Sequence, residues 1–198
     1  MKDLKKDIYA DIYRQYAIFP NKKLLLKILL GMDATGSKYI LFMRLCSYLL
    51  KNNKKIFFKI LYFKLIRYQL KYGIQISPIT KIGYGLSIPH SGGIVIGGNA
   101  KIGKNCTILQ GVTIGSNLYK SREHVATIGD NVLIGAGAKI IGPIKIGNNV
   151  TIGANSVVVN DIPDDVVVAG NPAKIISHKK AILINGDYLE YDKFKQLQ

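Results

Sequence analysis

Residues 127–159, TIGDNVLIGAGAKIIGPIKIGNNVTIGANSVVV, repeat one pattern every six residues. An aliphatic residue recurs at every sixth position, a glycine usually follows it, and a small or β-branched residue stands two positions before it. The aliphatic positions are Ile128, Ile134, Ile140, Ile146, Ile152 and Val158. A hexapeptide period is typical of a parallel β-helix, in which three short strands and three turns close a coil of about 18 residues. We predict that the aliphatic and small residues both point inward, and that the glycine supplies the turn geometry.

The same period extends upstream and is broken twice. It runs through Ile76, Ile82 and Ile88, and again through Ile96, Ile102, Ile108 and Ile114. The step from Ile88 to Ile96 has two residues too many for one hexad, and this slip contains His90. The step from Ile114 to Ile128, taken as two hexads, also has two extra residues. We therefore predict that GSNLYKSREHVAT leaves the helix as an external loop, and inserted loops of this kind often bind ligands.

The region 1–71 is predicted to be helical, and most of the positive charge lies there. The formal net charge is +16, and residues 1–73 contain 16 Lys or Arg against four acidic residues. Such a region favours an anionic partner, either a membrane surface or a phosphorylated substrate, or it is simply a solvated helical face. Nucleic acid is not expected, because no recognition motif accompanies the charge.

The segment KKIFFKILYFKLIRYQLKYG, residues 54–73, is apolar, aromatic and basic together. Its lysines and arginine interrupt every window long enough to span a bilayer, so a transmembrane helix is not predicted. It is either a helix packed on its own or a neighbouring subunit, or an interfacial helix in peripheral contact with a membrane. With no signal peptide recognised and two cysteines without CxxC spacing, we expect a cytoplasmic protein, with the inner face of the membrane as an option.

Residues 72–176 resemble the hexapeptide-repeat acyltransferases, and most closely their serine O-acetyltransferase branch. The matching stretches are IPHSGGIVIG, ILQGVTIG, IGAGAKIIGPIKIG, IGANSVVVNDIP and AGNPAKII. With its preceding helices, the chain looks like the members of that branch found in capsule and O-antigen clusters. The resemblance implies a left-handed parallel β-helix and acetyl-coenzyme A as the acetyl donor. It also implies a homotrimer, or a dimer of trimers, with sites between neighbouring chains. This organisation gives a helical region over 1–71, the β-helix over 72–176 and a tail over 177–198.

In this family the histidine that follows the early coil is the general base, and here it is His90. Members that acetylate serine have an Asp directly before this histidine and a second Asp further upstream. This chain has Pro89 and Gln75 at those two positions. Because those carboxylates help to hold a zwitterionic amino acid, we predict a neutral sugar hydroxyl of a surface polysaccharide as the acceptor. Serine acetylation for cysteine biosynthesis and a non-catalytic β-helix scaffold are the alternatives.

The resemblance also assigns the remaining functions of the site. The acceptor would be bound by residues of the second coil and the loop, and an oxyanion would be stabilised by backbone groups where the loop departs. Small residues let the pantetheine arm approach the backbone, and lysines can meet coenzyme phosphates. The acceptor residues are Gln110, Glu123 and His124; the oxyanion residues are Gly115 and Ser116; the coenzyme residues are Gly135, Ala136, Lys139, Ala154 and Lys174. No metal is expected, because the three histidines show no metal-ligand spacing.

Overall fold

The computed structural model describes residues 2–30, 36–119 and 123–179. Most of the predicted tail, residues 180–198, lies outside this range. Within these described residues, four helices come first and fourteen short strands follow. The helices are α1 (Lys2–Tyr16), α2 (Lys22–Leu30), α3 (Ser37–Lys51) and α4 (Lys55–Tyr72). Helix α4 ends at Gly73, a left-handed residue with φ of 62°, which turns the chain directly into the first strand.

The strands form three sheets that wind around one axis. The strands are β1 (Ile74–Ile76), β2 (Lys81–Ile82), β3 (Ile94–Ile96), β4 (Lys101–Ile102), β5 (Thr107–Ile108), β6 (Thr113–Gly115), β7 (Thr127–Ile128), β8 (Leu133–Ile134), β9 (Lys139–Ile141), β10 (Lys145–Ile146), β11 (Thr151–Ile152), β12 (Val157–Val158), β13 (Val167–Gly170) and β14 (Ala173–Ser177). The first sheet has the order β1-β3-β6-β9-β12, the second β10-β7-β4-β2, and the third β14-β13-β11-β8-β5, with all pairs parallel except β13 and β14. The predicted parallel β-helix with N-terminal helices is therefore confirmed.

The hexapeptide pattern fills the interior of the β-helix as predicted. The recurring aliphatic residues are buried, apart from the half-buried Ile82 of the first coil, and Ile108, Ile134, Ile140 and Ile152 have no exposed surface. The small residues two positions earlier are buried as well: Ala100, Cys106, Val112, Ala126, Val132, Ala138, Ile144, Val150 and Ser156. Because both positions point inward, one continuous apolar core runs along the axis and extends into helices α3 and α4.

The glycine after each aliphatic residue has a different role from the one predicted. None of the glycines that follow a recurring aliphatic residue, from Gly83 to Gly153, has a positive φ. A Cβ added at Gly135 would lie 2.6 Å from the Ala154 nitrogen of the next coil, and one at Gly83 would lie 2.7 Å from the Gly103 carbonyl carbon. At these positions, and at Gly103, Gly129 and Gly147, the glycine is required by the close stacking of successive coils, whereas a Cβ at Gly115 would meet nothing nearer than 3.7 Å.

One set of left-handed turn residues forms a column, mostly of asparagines, between the second and third sheets, which we call the asparagine corner. Asn105, Asn131, Asn149 and Asp165 have φ between 55° and 58°. Asn105 Nδ2 donates to Asn131 Oδ1 at 3.0 Å, and Asn131 Nδ2 to Asn149 Oδ1 at 2.9 Å. Asn149 Nδ2 donates to Asp165 Oδ1 at 2.9 Å. Asn and Asp tolerate this conformation better than other non-glycine residues, which accounts for the column.

Strand register shows how long each interruption of the period is. Ile74 pairs with Ile94, a step that exceeds three hexads by two positions, so the predicted slip of two is confirmed. Thr113 pairs with Lys139, whereas three hexads from Thr113 would end at Asn131, eight positions earlier. Ile114 and Ile128 therefore lie on successive faces, one hexad apart, and the loop accounts for those eight positions. The predicted count of two extra residues is wrong, because the period alone does not say which face a strand occupies.

Buried polar contacts attach the helices to the first coils. Arg44 Nε donates to Asp11 Oδ2 at 2.9 Å, and Arg44 Nη1 donates to the Ile82 carbonyl at 2.8 Å. The Leu86 amide donates to Asp11 Oδ1 at 2.8 Å. Arg14 Nη2 donates to Thr107 Oγ1 at 3.0 Å. Helices α1 and α3 are thereby locked to the β-helix by charged groups that have little solvent exposure.

Candidate active site

His90 lies at the corner where the chain passes from the third sheet to the first, which we call the His90 corner. Ser87 bridges Thr107, so counting onward along both strands puts His90 level with Gln110 of the next coil. The same register continues from Thr107 to Leu133 and from Leu133 to Thr151, which adds Ala136 and Ala154. The four positions therefore form one column along the outside of the β-helix.

The two-residue slip gives the His90 corner a wider turn than those below it. Gly92 and Gly93 have φ of 111° and 66°, a region that favours glycine. The Gly111 amide donates to the Gly92 carbonyl at 2.8 Å, and the Ile94 amide donates to the Gly73 carbonyl at 3.0 Å. His90 is solvent-exposed, so its imidazole can meet a ligand from outside.

Helix α1 supports the strand that leads into His90. Gln15 Oε1 accepts hydrogen bonds from Ser87 Oγ at 2.8 Å and from the Ile88 amide at 3.1 Å. Both contacts are buried and lie two or three residues before the histidine. Sequence reasoning missed Gln15, since nothing in the local sequence links a residue of α1 to the corner.

Small residues continue the column below His90. Gly135 and Ala136 precede the left-handed Gly137, and Ala154 precedes the left-handed Asn155. The Gly137 amide donates to the Gln110 carbonyl, and the Asn155 amide to the Ala136 carbonyl, both at 2.8 Å. These small side chains project little from the backbone. An extended ligand can therefore lie against the backbone of the coils that follow His90.

The two lysines assigned to the coenzyme have different surroundings. Lys139 points outward from β9, and its Nζ donates to the Gly111 carbonyl at 2.6 Å and to Thr113 Oγ1 at 3.1 Å. Two of its three donors are thus used within the protein, beside the column. Lys174 is exposed on β14, where it pairs with Ala169 across the antiparallel hairpin.

The predicted loop residues lie at a different corner, between the first and second sheets, which we call the loop corner. The Gly142 amide donates to the Gly115 carbonyl at 2.9 Å where the loop departs. Asn99 Nδ2 donates to the Glu123 carbonyl at 2.9 Å where it returns. Val125 packs against Gly97 and the core. His124 lies between these last two anchors and is exposed, so Glu123, His124, Gly115 and Ser116 share the loop corner.

Within one chain the two corners stay apart. A strand of the first sheet separates them, and four residues of strand span about 13 Å. The structure therefore brings Gln110, Gly135, Ala136 and Ala154 to the His90 corner, but it does not bring His124 or Glu123 there. Gly115 and Ser116 likewise lie across the first sheet from His90.

Cys106 and the metal-ligating side chains of the described residues are alternative reactive groups. Cys106 is buried in the core, and burial raises the pKa of its thiol to about 12. A thiol that stays protonated is a poor nucleophile. Among residues 2–30, 36–119 and 123–179, no group of three or more His, Cys, Asp or Glu side chains is placed to hold a metal ion.

Two family models match the repeats. Residues 126–160 match the bacterial transferase hexapeptide (six repeats), and residues 93–118 match the hexapeptide repeat of succinyl-transferase. The chain is 43% identical over 110 residues to the serine acetyltransferase of Haemophilus influenzae, covering 56% of this chain and 41% of that protein. It spans half or less of the length of the curated relatives it matches.

Solved structures match over more of the chain, including the helices. The serine acetyltransferase of Neisseria gonorrhoeae in complex with serine is 35% identical, with a TM-score of 0.72 over 88% of this chain and 69% of that one. The serine acetyltransferase of Brucella abortus in complex with coenzyme A is 34% identical, with a TM-score of 0.71 over 91% and 69%.

These relatives correct the predicted acceptor. The curated proteins that match at 43–49% identity are serine acetyltransferases, as are the solved structures above. The prediction of a sugar hydroxyl in capsule or O-antigen synthesis is therefore wrong, and the serine alternative agrees better with the relatives. The prediction failed because it gave two substituted positions, Gln75 and Pro89, more weight than the rest of the repeat region.

Proposed function

Because the chain belongs to the hexapeptide-repeat acyltransferase family, we propose that it transfers the acetyl group of acetyl-coenzyme A to the hydroxyl of serine. The observation that carries this proposal is the column at the His90 corner, where an exposed histidine is followed by Gln110 and then by the small residues Ala136 and Ala154. The similarity to serine acetyltransferases over both helices and β-helix supports the choice of acceptor.

His90 would act as the general base. A neutral imidazole has one ring nitrogen that can accept a proton, which is what a general base requires. The imidazole accepts the proton of the serine hydroxyl while that oxygen attacks the thioester carbonyl carbon. As the carbon–sulfur bond breaks, the same proton passes to the departing sulfur, which leaves as the thiol of coenzyme A. No acyl-enzyme is required, in keeping with the buried and protonated state of Cys106.

The residues below His90 fit the coenzyme. A Cβ at Gly135 would meet the backbone of the next coil, so this position keeps the corner flat, and Ala136 and Ala154 add only a methyl group each. These three residues would hold the pantetheine arm against the backbone. Lys174 would meet a phosphate, and Lys139 would do so with the donor that it does not use internally. We also infer the left-handed winding of the family for the β-helix.

A second chain would complete the site. Since the loop corner is held across the first sheet from His90, a neighbouring β-helix must bring its own loop corner to the His90 corner. A homotrimer, alone or doubled, meets this need with one repeated interface. Gly115 and Ser116 would then supply the oxyanion donors from the partner chain, and one such donor is typically worth about 10²–10³ in rate.

Two polar side chains of the loop suit a zwitterionic acceptor. Serine carries a carboxylate and an ammonium group, so its site needs an acceptor for the ammonium and a hydrogen-bond donor for the carboxylate. Glu123 and His124 are adjacent and exposed at the loop corner, and we assign the serine ammonium to the Glu123 carboxylate and the serine carboxylate to a ring N–H of His124. Gln110 lies next to His90 in the column. It would hydrogen-bond the acceptor from the chain that carries His90, opposite the loop of the neighbouring chain.

Coenzyme A release from acetyl-coenzyme A tests this function, with L-serine compared against a panel of free and nucleotide-linked sugars. We expect turnover with serine, and a loss of about 10²–10⁴ in rate for His90→Ala, the usual range for a general base. His178 is an exposed histidine that directly follows β14. His178→Ala is the matched control, and its rate of serine acetylation should equal that of the wild type. Serine-independent turnover, or an active His90→Ala enzyme, would refute the proposal.

A further inference from the structure

Helix α4 is apolar on two opposite faces, and the described residues of the chain cover only one of them. Leu65 is buried, and Phe58, Leu61, Tyr68 and Tyr72 pack against the core beside it. On the other side four large apolar side chains are between 66% and 80% exposed: Ile56, Ile60, Phe63 and Leu70. A helix with apolar residues on both sides requires a second apolar surface.

The exposed residues form a narrow stripe with a basic border. At about 100° per residue, Ile56, Ile60, Phe63 and Leu70 fall within an arc of about 80°. Lys59 lies on one side of this stripe, and Lys64 and Lys71 lie on the other. Arg67 lies within the stripe, with its guanidinium carbon 5.9 Å from the centre of the Phe63 ring. We call this the outer face of α4.

The charge around the outer face has one sign. Helix α4 contains five Lys or Arg residues and no acidic residue. No Asp or Glu occurs anywhere between Asp33 and Glu123 in the sequence. An apolar stripe bordered by lysine and arginine is the arrangement by which helices lie in the surface of an anionic bilayer.

A second copy of the chain suits this face less well. Packing α4 against α4 would place cations of one chain beside cations of the other, with no carboxylate on either helix to balance them. Like charges at such short range are destabilising, whereas anionic headgroups would neutralise them. None of the described helices combines the length and apolar character needed to cross a membrane, so any contact would lie in the membrane surface.

We propose that the outer face of α4 docks on an anionic membrane surface. Phe63 and the three aliphatic residues of the outer face would enter the headgroup boundary, while the lysines contact lipid phosphates. Helix α4 leads straight into the first coil, where the Gly73 carbonyl accepts a hydrogen bond from the Ile94 amide beside Gly92 and Gly93. Docking would thus hold the His90 corner near the membrane, and it is independent of the acceptor that His90 serves.

Co-sedimentation of the full chain with vesicles tests the proposal. We expect binding to vesicles of equal parts phosphatidylcholine and phosphatidylglycerol, and little binding to phosphatidylcholine alone. Raising the salt from about 0.1 M to about 1 M shortens the Debye length from about 10 Å to about 3 Å and should release most of the protein. Absence of binding to the anionic vesicles at low salt would overturn the proposal.

Two substitutions assign the binding to α4. Phe63→Ser should weaken vesicle binding by at least about tenfold, the value of burying one such side chain. Lys59→Glu should weaken it by about fivefold for each charge unit, hence about thirtyfold for the reversal. Ile176→Ser and Lys145→Glu make the same changes at exposed positions of the β-helix and should leave binding unchanged.

Light scattering on the same variants separates the alternative. If the outer face contacted another copy of the chain, Phe63→Ser would lower the oligomeric mass, and the wild-type chain would not bind anionic vesicles. Equal vesicle binding by wild type and Phe63→Ser would also refute the proposal. An unchanged mass together with weaker vesicle binding supports it.

Discussion

A site shared between chains should be restored by mixing two inactive variants. One variant carries His90→Ala and keeps its loop. The other keeps His90 and has residues 118–124 replaced by two glycines, which spares the anchor at Val125 and removes the one at Glu123. Each variant alone lacks one half of every site, so each should have little serine acetylation.

The size of the recovery follows from the arrangement of the corners. The His90 corner and the loop corner of one chain are separated by about 13 Å of strand, so each site takes one corner from each of two neighbours. In a ring assembled at random from equal amounts of the two variants, half of the chains offer an intact His90 and half of the neighbours an intact loop. About one quarter of the sites should therefore be complete.

The assay is the rate of coenzyme A release per chain after co-expression of the two variants. About one quarter of the wild-type rate is expected, against near-background rates for each variant expressed alone. Two differently tagged copies of the His90→Ala variant form the control and should show no recovery. A mixed assembly no more active than the average of its parents would place the whole site within one chain and refute the reasoning.

The remaining predictions concern the fold and the imidazole. Ala138→Phe should destabilise the β-helix by about 1–3 kcal/mol in denaturant unfolding, because Ala138 has no exposed surface; an unchanged midpoint would contradict the register. Asp11→Ala should cost about 3 kcal/mol, since it leaves buried Arg44 with only the Asp7 carboxylate, 3.8 Å away, as a charge partner, and adding Arg44→Met should recover part of that loss; additive losses would argue against the pairing. Pro89→Asp should move the acid limb of the pH–rate profile to higher pH, because a carboxylate stabilises a neighbouring imidazolium; an unmoved limb would mean that the new carboxylate does not reach His90.

The coil interior could be predicted because its physics repeats. Each Ile of the hexad meets the same neighbours in the coil above and below, so six-residue spacing alone predicts which side chains are buried. The number of inserted residues could not be predicted in the same way. Insertions of eight and of two residues differ by one hexad, so the six-residue pattern resumes in the same phase after either. Only strand pairing, such as that of Thr113 with Lys139, distinguishes the two lengths.

Contacts between distant parts of the chain were also beyond prediction. Gln15 supports the strand before His90 from a separation of 72 residues, and Arg44 reaches the Ile82 carbonyl from another helix. Nothing local marks these residues as partners, since each could equally lie on a solvated helix face. The separation of His90 and His124 could not be predicted either. The corner from which a loop departs depends on which sheet the preceding strand belongs to, and the sequence does not show this.

The asparagine corner gives the β-helix a direction and an end. Each side-chain amide from Asn105 to Asn149 donates a hydrogen bond to the side-chain oxygen of the next residue in the row. The Asp165 carboxylate accepts the last of these bonds and has no donor of its own. A further coil added after Asp165 would find no donor there to continue the row. A coil inserted between Asn131 and Asn149, with its own asparagine at the corner, would keep every amide supplied. Lengthening of this molecule, by evolution or by design, is therefore expected from the middle, with the last coil retained as a terminator.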